Sequence, residues 1–368
     1  MNDIDYMRLA LSLAEKGLGW TSPNPMVGAV IVKDGRIIGQ GYHRRCGDLH
    51  AERDALANCG ESPAGATMYV TLEPCCHHGR QPPCTEAILS AGIARVVVGS
   101  DDPNPLVAGK GLEQLRASGV TVETGLLRKE CDALNRVFFH YIRTGRPYVT
   151  MKYAMTLDGK IATRTGASRW ITGEAAREQV HRDRHRNAAI LVGIGTVLAD
   201  DPLLTCRIAG GKNPLRIVCD STLRTPPDSQ LVRTAREVPT ILAAAEGAAA
   251  RCEPYEAAGC RVWILPEQDG HVDLTALMER LGAEQIDSVL LEGGGSLNWA
   301  ALEAGLVHRV QAYIAPKIFG GAAAKSPVRG LGVGLPAQCA QLQNVTMTQL
   351  GADILLEGEV KSHVYGDC

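Results

Sequence analysis

Hydrophobic and polar residues alternate along the first half of the chain with two periods, one typical of helices and one of strands. Residues 3–17 carry apolar side chains at a roughly helical spacing that ends at Gly17. Two apolar runs, Val27–Val32 and Ile37–Tyr42, flank Asp34-Gly35, a pair that indicates a tight hairpin. The next predicted elements are a helix from Ala51 to about Cys59, a strand Met68–Leu72, a helix Thr85–Ala91 and a strand Arg95–Gly99. This alternation predicts an α/β domain in which helices cover a sheet.

The pattern breaks around Thr144-Gly145-Arg146-Pro147, where we place a domain boundary. The predicted domains therefore span residues 1–145 and 146–368. The second domain is also predicted to be α/β, with these elements: strand Tyr148–Met155, helix Glu174–His185, strands Ala189–Gly193, Arg216–Asp220 and Ser288–Leu291, a short helix after Ser296, and strands Val310–Ala315 and Ile354–Glu359. The small-residue stretch Ala243–Ala250 is predicted to be a surface loop or the start of a helix.

Composition narrows the class of protein. A chain of 368 residues with 45% hydrophobic and 21% charged residues is typical of a globular protein of two domains. The net charge of −2 provides no global positive field for nucleic acid or an anionic membrane. The acidic N-terminus lacks the features of a signal peptide, and no long apolar run predicts a membrane span. We therefore expect a cytoplasmic protein whose twelve cysteines are mostly reduced thiols, two of them metal ligands.

His50, Cys75 and Cys84 supply one imidazole and two thiolates, a set that suits Zn²⁺ in tetrahedral geometry with one open position. Zinc lowers the pKa of a water in that position to about 7. Glu52 is a carboxylate that the metal does not need, so it is free to carry protons. Together these residues form the H-x-E…P-C…C signature of zinc deaminases.

The geometry of the motif and its alternatives also follow from the sequence. Residues i and i+2 of a regular helix are about 200° apart, so His50 and Glu52 face one metal only if His50 lies at a helix start. Cys84 likewise falls at the start of the next predicted helix. Cys76, His77 and His78 lie between the two cysteines and form a competing ligand set. Two alternatives to a catalytic zinc are a closed structural zinc and the absence of a metal. The spare carboxylate of Glu52 favours the catalytic zinc.

The chain resembles the RibD family of bifunctional riboflavin-biosynthesis proteins along essentially its whole length. In the first half the matching segments are Pro23–Gly28, His50–Glu52, Thr71–Cys75, His78–Cys84 and Asp102–Pro105. In the second half they are Leu157–Lys160, Trp170–Thr172, Thr196–Pro202 and Glu292–Gly294. The gap of eight residues between Cys75 and Cys84 is this family's own spacing. Cys76 departs from the family pattern, where we expect Ser, and its free thiol puts the redox robustness of the site in doubt.

The resemblance implies a cytidine-deaminase-like three-layer α/β/α domain that deaminates a phosphoribosylamino-pyrimidine. It is followed by an α/β domain of the dihydrofolate-reductase-like fold that uses NADPH to reduce the ribosyl group to ribityl. Carried over by position, His50, Cys75 and Cys84 bind one Zn²⁺, and Glu52 is the general acid and base. The resemblance assigns the pyrimidine and its phosphate to Asn24, His43 and Arg80.

The second domain offers less chemistry of its own. Gly193-Ile194-Gly195-Thr196 and Gly293-Gly294-Gly295-Ser296 each follow a predicted strand, but neither completes the dinucleotide-binding fingerprint, and by pattern alone tight turns are favoured. The resemblance instead assigns NADPH to Ala154, Trp170, Thr196, Asp200, Ser221, Gly294, Gly295, Ser296, Leu297, Asn298, Trp299 and Ala300. It assigns the reductase substrate to Ser168, Arg184, Leu204, Arg207 and Glu292.

Several interpretations of the second domain stay open. Arginine binds phosphate in bidentate fashion, which fits Arg184 and Arg207, although a solvated helix face and a loop charge are the alternatives. Lys152 and Glu292 are candidates for an electrostatic or acid role in the reduction, and a paired structural lysine is the alternative for Lys152.

Three other functions compete with the bifunctional enzyme. A nucleic-acid-editing deaminase would normally have a basic groove with aromatic residues, whereas here aromatic residues are only 4%. A monofunctional deaminase with an inert second domain, and a zinc-stabilised binding module without catalysis, complete the set. We expect small phosphorylated pyrimidines as partners, no nucleic acid or membrane, and, from the family, a homo-oligomer such as a dimer or tetramer.

Overall fold

The computed structural model describes residues 1–79 and 81–361, and the chain forms two units, Met1–Gly145 and Arg146–Cys368. The helices of the first unit are α1 Asp3–Glu15, α2 Ala51–Ala57, α3 Cys84–Ser90, α4 Lys110–Ala117, α5 Arg128–Leu134 and α6 Arg136–Thr144. Its strands are β1 Gly28–Lys33, β2 Arg36–Tyr42, β3 Thr67–Leu72, β4 Arg95–Ser100 and β5 Thr121–Thr124. They form one sheet in the order β2-β1-β3-β4-β5, in which β1 is antiparallel to β2 and β3, and β3, β4 and β5 are parallel.

The first unit has three layers because successive side chains of its strands point to opposite faces of the sheet. On β1, Ala29 and Ile31 belong to the core that includes Ala51 and Ala55 of α2. Val30 belongs to the opposite core, with Met7 and other residues of α1. The predicted α/β/α arrangement is thereby confirmed.

Helix α2 packs closely against strand β2, and this packing sets where the helix begins. A Cβ atom at Gly41 of β2 would overlap the backbone nitrogen of Ala55, so only glycine permits the approach. The residue just before α2 is His50, which the packing places at the end of the helix nearest the loop after β3.

The helices of the second unit are α7 Glu174–Arg186, α8 Ile194–Asp200, α9 Gln230–Arg233, α10 Glu253–Ala258, α11 Leu274–Ala283 and α12 Gly295–Glu303, with 3-10 turns at Glu246–Arg251 and Pro336–Gln338. The strands are β6 Tyr148–Thr156, β7 Ala189–Gly193, β8 Leu215–Cys219, β9 Thr240–Ala245, β10 Arg261–Leu265, β11 Glu267–Gln268, β12 His271–Val272, β13 Ser288–Leu291, β14 Arg309–Ala315, β15 Leu342–Leu350 and β16 Asp353–Val360.

Nine strands of the second unit form one mixed sheet, in the order β10-β9-β8-β7-β13-β6-β14-β16-β15, and β11 pairs with β12 separately. The strands from β10 to β14 are parallel, whereas β16 runs antiparallel to both β14 and β15. Both faces of the parallel part are covered: Leu191 of β7 lies in one core and Ile190 in the other. In parallel sheets, ligands bind beyond the carboxyl ends of the strands, so the ends of β7, β8 and β13 mark the region of interest.

Most predicted elements are confirmed to within a residue or two, and strands Ala189–Gly193 and Ser288–Leu291 have the predicted bounds. The expectation for Ala243–Ala250 is wrong in its first part. Ala243, Ala244 and Ala245 complete the buried strand β9, which lies between β8 and β10 and is covered on both faces. Small side chains there reflect close packing, not exposure. The second part of the stretch lies in the 3-10 turn Glu246–Arg251.

Candidate functional site

Three potential metal ligands of the first unit converge on one point. His50 has extended backbone (φ −69°, ψ 157°) directly before α2, Cys84 is the first residue of α3, and Cys75 lies in the loop after β3. His50 Nδ1 is 3.4 Å from Cys75 Sγ and 3.4 Å from Cys84 Sγ. The expectation that two helix starts present these ligands is confirmed.

The donor set fits zinc. Tetrahedral Zn²⁺ with its usual bond lengths to nitrogen and sulfur separates such atoms by about 3.5 Å, close to the distances between His50 and each cysteine. Within residues 1–79 and 81–361, this is the only cluster of three or more His, Cys, Asp or Glu side chains near enough to hold a metal. Three protein ligands leave a fourth position open, as in catalytic zinc sites.

The competing ligands between the two cysteines point elsewhere. His78 Nε2 lies 3.4 Å from a carboxylate oxygen of Glu86, and the Cys76 thiol faces the Leu106 carbonyl at 3.7 Å. Neither joins the cluster around His50, so the structure separates the two ligand sets that the sequence alone leaves open.

The two ligand sulfurs share a proton. The pKa of Cys75 is lowered to about 4, first by the Cys84 thiol that donates to it and then by hydrogen bonds from His50 and the Cys84 backbone. The same contact raises the pKa of Cys84. A thiolate is therefore stabilised at the point where a cation would bind, and metal binding displaces the shared proton.

Glu52 is the second residue of α2, and it is only 4% exposed. Burial raises the pKa of its carboxyl to about 7, and the negative charge on Cys75 adds to the effect. A general acid and base works best when its pKa is near the working pH. The Glu52 carboxyl interacts with Cys84, Cys75 and His50, so it lies beside the three potential ligands.

Two of the three predicted substrate residues lie beside the cluster. The Asn24 amide Nδ2 donates to His43 Nε2 at 3.2 Å, and His43 Nδ1 donates to the Leu49 carbonyl at 2.9 Å. The rings of His43 and His50 are 5.5 Å apart. Burial lowers the pKa of His43, which fits the neutral form that accepts from Asn24. The third residue, Arg80, lies outside the described residues.

Glu73 lies in the matching segment Thr71–Cys75, and the sequence alone assigns it no role. Its side chain connects the loop of Cys75 to a second loop. It is 3% exposed, and its Oε2 accepts from the backbone nitrogens of Gly109 at 3.1 Å and Asp102 at 3.4 Å. Burial raises the pKa of Asp102 to about 6, with a further contribution from Glu73. An acidic residue between a buried strand and Pro74 is the signal that could have revealed it.

In the second unit, the Glu292 carboxylate pairs with two positively charged side chains. It follows β13, and its oxygens accept from Arg184 Nε at 2.7 Å and Nη2 at 2.9 Å, while Lys152 Nζ is 3.6 Å away. Burial favours a high pKa for Glu292, but the charges of Arg184 and Lys152 outweigh it and lower the pKa to about 2. Glu292 therefore has no proton to donate at neutral pH, which leaves Lys152 as the acid candidate.

The side chain of Arg184 is only 13% exposed, so the alternative of a solvated helix face is wrong. Its Nη1 donates to the Thr205 carbonyl at 3.1 Å, which brings it against the loop that carries Leu204 and Arg207. Leu204 is buried. Ser168 donates to Asp200 Oδ1 at 3.1 Å.

The two glycine clusters of the second unit face each other. A Cβ atom on Gly294 would lie 3.7 Å from Thr196 Oγ1, and one on Gly193 would lie 3.7 Å from Leu297. Gly195 has open space where a side chain would be. Helix α12 starts here, at the carboxyl end of β13, so its free backbone N–H groups are suited to a phosphate. The residues present therefore fit a dinucleotide such as NADPH.

The other residues assigned to NADPH are more dispersed. Ala154 lies in β6, and Trp170 is 61% exposed with the Arg177 guanidinium 4.8 Å from its ring. Ser221 Oγ accepts from the Val272 backbone at 3.1 Å. Later in α12, Asn298 is buried and donates to the Pro327 carbonyl, and the Trp299 ring packs against Gly330. Ala300 follows in the same helix. The contacts on α12 and α8 bring Gly294 to Thr196, and Leu297 to Gly193, and the remaining residues of the set stay predicted contacts.

No described helix combines the length and the apolar character that crossing a bilayer requires.

Both units match known protein families. A family model described as "Cytidine and deoxycytidylate deaminase zinc-binding region" matches residues 1–100. A second model, "RibD C-terminal domain", matches residues 147–356. The riboflavin biosynthesis protein RibD of Actinobacillus pleuropneumoniae is 55% identical over 97% of this chain and 95% of its own. RibD of Escherichia coli (strain K12) is 43% identical over 97% of this chain and 99% of its own.

Solved structures are similar to this chain over nearly its whole length. The chain is similar to Acinetobacter baumannii RibD with a TM-score of 0.88 and 37% identity, covering 98% of this chain and 99% of the other. It is also similar to a diaminohydroxyphosphoribosylaminopyrimidine deaminase/5-amino-6-(5-phosphoribosylamino)uracil reductase from Thermotoga maritima, with a TM-score of 0.84, 37% identity and the same coverage.

Proposed function

The chain belongs to the RibD family of riboflavin biosynthesis, and from that premise we propose that its two units act in turn on one phosphorylated pyrimidine. It is a bifunctional enzyme, a zinc-dependent deaminase and a reductase. The first substrate is 2,5-diamino-6-(5-phosphoribosylamino)pyrimidin-4-one, and the deaminated product is then reduced from ribosyl to ribityl with NADPH. The arrangement of Glu52 beside His50, Cys75 and Cys84 is the observation that carries the first step.

In the deamination, water replaces the amino group of a ring carbon and ammonia leaves. Zinc, when bound, acts as a Lewis acid that makes water a nucleophile at neutral pH. Glu52 takes a proton from the attacking water and gives it to the adjacent ring nitrogen. It then takes the second proton from the hydroxyl that has added to the ring carbon and passes it to the amino group, so that ammonia leaves and a carbonyl remains. Its pKa of about 7 allows it to take and release protons with equal ease. Asn24 and the neutral His43 hold the ring by hydrogen bonds, and Arg80 stays a prediction for the phosphate.

In the reduction, the ribosylamine opens to an imine whose carbon gains a hydride and whose nitrogen gains a proton, so the ribityl group stays attached to the pyrimidine. NADPH supplies the hydride when bound. We assign its phosphates to the glycine clusters around Thr196 and Gly294, and the substrate to Arg184, Leu204, Arg207 and Glu292. Glu292 holds Lys152 in place as an ammonium, and Lys152 provides the proton. Ser168, Asp200, Trp170, Ser221 and Ala154 stay predicted contacts.

The alternative of a deaminase with an inert second unit is not favoured, because the RibD C-terminal model matches residues 147–356. The homo-oligomer and the cytoplasmic location stay predictions.

One assay tests both steps. The diamino substrate is supplied with and without NADPH, and ammonia and NADPH absorbance are followed together. We expect ammonia in both reactions and NADPH oxidation after deamination. If the separately prepared deaminated product causes no NADPH oxidation, the reductase half is wrong. If the diamino substrate releases no ammonia from zinc-loaded enzyme, the deaminase half is wrong.

A further inference from the structure

Arg207, the exposed arginine of the reductase loop, is held by a histidine that the proposed reaction does not use. Its Nε donates to Nε2 of His181 on α7 at 3.1 Å. An arginine carries further N–H donors on Nη1 and Nη2, so this contact fixes one side of the guanidinium and leaves the outer fork for an anion. The contact therefore orients a phosphate-binding group that a flexible loop would otherwise leave mobile.

The hydrogen bond specifies the protonation state of His181. Because Arg207 Nε is always a donor, His181 Nε2 must offer a lone pair, and the single ring proton of the neutral form is on Nδ1. That nitrogen is buried near the Thr205 backbone and, among the described residues, has no hydrogen-bond partner of normal geometry. An imidazolium has no lone pair and would place a second positive charge against the guanidinium, so protonation breaks the contact.

The surroundings favour the neutral ring. The pKa of His181 is lowered, first by burial and then by the positive charges of Arg184 and Arg207, while Glu292 opposes them. The charges that act on His181 come from Arg184 on its own helix, from Arg207 on the loop and from Glu292 at the end of β13. Glu292 also pairs with Lys152. The other charged or titratable groups three or four residues from His181 on α7 are Arg177, Glu178 and His185, and Cys206 precedes Arg207 on the loop.

The same loop meets α7 at two further points. The Cys206 thiol donates to the His181 carbonyl at 3.3 Å, and the Lys212 backbone nitrogen donates to His185 Nδ1 at 3.0 Å. His185 is one turn along the helix from His181, so both rings face the loop. His181 accepts from Arg207, a side chain that can bind substrate. His185 accepts from the Lys212 backbone and provides the comparison variant on the same helix face.

We propose that His181 is a positioning residue that aims Arg207 at the substrate phosphate, and that protonation of its ring releases Arg207 and weakens phosphate binding. This rests on the proposed reductase function and on Arg207 as the phosphate ligand. Glutamine at position 181 retains an oxygen acceptor for Arg207 and cannot titrate, whereas leucine removes the acceptor.

The test measures the KM for the deaminated, phosphorylated substrate between about pH 8 and pH 5 in wild type, His181→Gln, His181→Leu and His185→Gln. The substrate phosphate itself titrates near pH 6, so the informative quantity is the KM ratio of wild type to His181→Gln. We expect this ratio to rise about tenfold as pH falls, the scale of a hydrogen bond to a charged group, with the kcat ratio constant. His181→Leu should have a raised KM at every pH, and His185→Gln should follow wild type.

The variants distinguish a wrong assignment of Arg207 to the phosphate from a wrong role for His181. An Arg207→Met variant should raise KM for the phosphorylated substrate and not for its dephosphorylated analogue; an unchanged KM would remove Arg207 from the proposed site and the inference with it. If Arg207→Met behaves as expected but His181→Gln keeps the wild-type pH profile, or His185→Gln abolishes it, the role of His181 alone is overturned. Circular dichroism of each variant confirms that the fold is retained.

Discussion

Arg184 and Glu292 form a two-pronged ion pair in the interior of the second unit, with Lys152 as a third, more distant member. All three side chains are 10–13% exposed. Removing one partner of a buried pair leaves the other charge uncompensated, which costs more than the pair itself contributes. The site therefore couples the stability of this unit to the ionisation of one carboxylate.

We expect Glu292→Gln to lower the free energy of unfolding at pH 7 by about 3 kcal/mol. The pKa of Glu292 is about 2 in the folded protein and near 4.5 in the unfolded chain. The stabilisation that its ionised form provides is therefore complete above about pH 5, and it is lost as the pH falls towards 2. The difference in free energy of unfolding between wild type and Glu292→Gln should therefore be smaller at pH 4 than at pH 7, by about 1 kcal/mol. Urea unfolding measured by tryptophan fluorescence checks this, and a constant difference contradicts it.

Glu52→Gln should retain zinc and lose deamination by at least about 100-fold, because the amide is isosteric but cannot carry protons. Zinc content by elemental analysis and ammonia release are the measurements. Glu61→Gln is the matched control, since Glu61 lies in the same unit and only pairs with the exposed Arg36. Reduction of the deaminated product should be unchanged in both variants. Turnover near that of wild type would reject the role of Glu52.

The ligand set predicts different behaviour for three neighbouring cysteines. Cys75→Ser and Cys84→Ser should each lose stoichiometric zinc and ammonia release, because a serine hydroxyl is a poor replacement for a thiolate at zinc. Cys76→Ser should keep one zinc per chain and activity within about twofold, since the Cys76 thiol faces the Leu106 carbonyl and not the ligand cluster. It should also resist oxidants better than wild type. Zinc loss in Cys76→Ser would show that the competing ligand set is the real one.

Local sequence patterns predict much of the secondary structure and of the zinc site. The Asp34-Gly35 hairpin, the helix start at His50 and the converging start at Cys84 all follow from local spacing. Ala243–Ala245 was misread because small residues look alike in a loop and in a strand packed on both faces. Glu73, His181 and the burial of Arg184 were missed for a different reason: their partners lie far along the chain, and only the fold brings them together.

Glu73→Gln provides the test of the second loop around the zinc site. Glutamine keeps one oxygen for the Gly109 and Asp102 backbone nitrogens, but it loses the negative charge and brings an amide into a buried position. We expect a loss of about 1–3 kcal/mol in the free energy of unfolding, the usual cost of an imperfectly matched buried polar group. Glu123→Gln is the control, because its exposed ion pair with Arg95 contributes at most about 1 kcal/mol. Equal losses in the two variants would mean that Glu73 does not hold the loop.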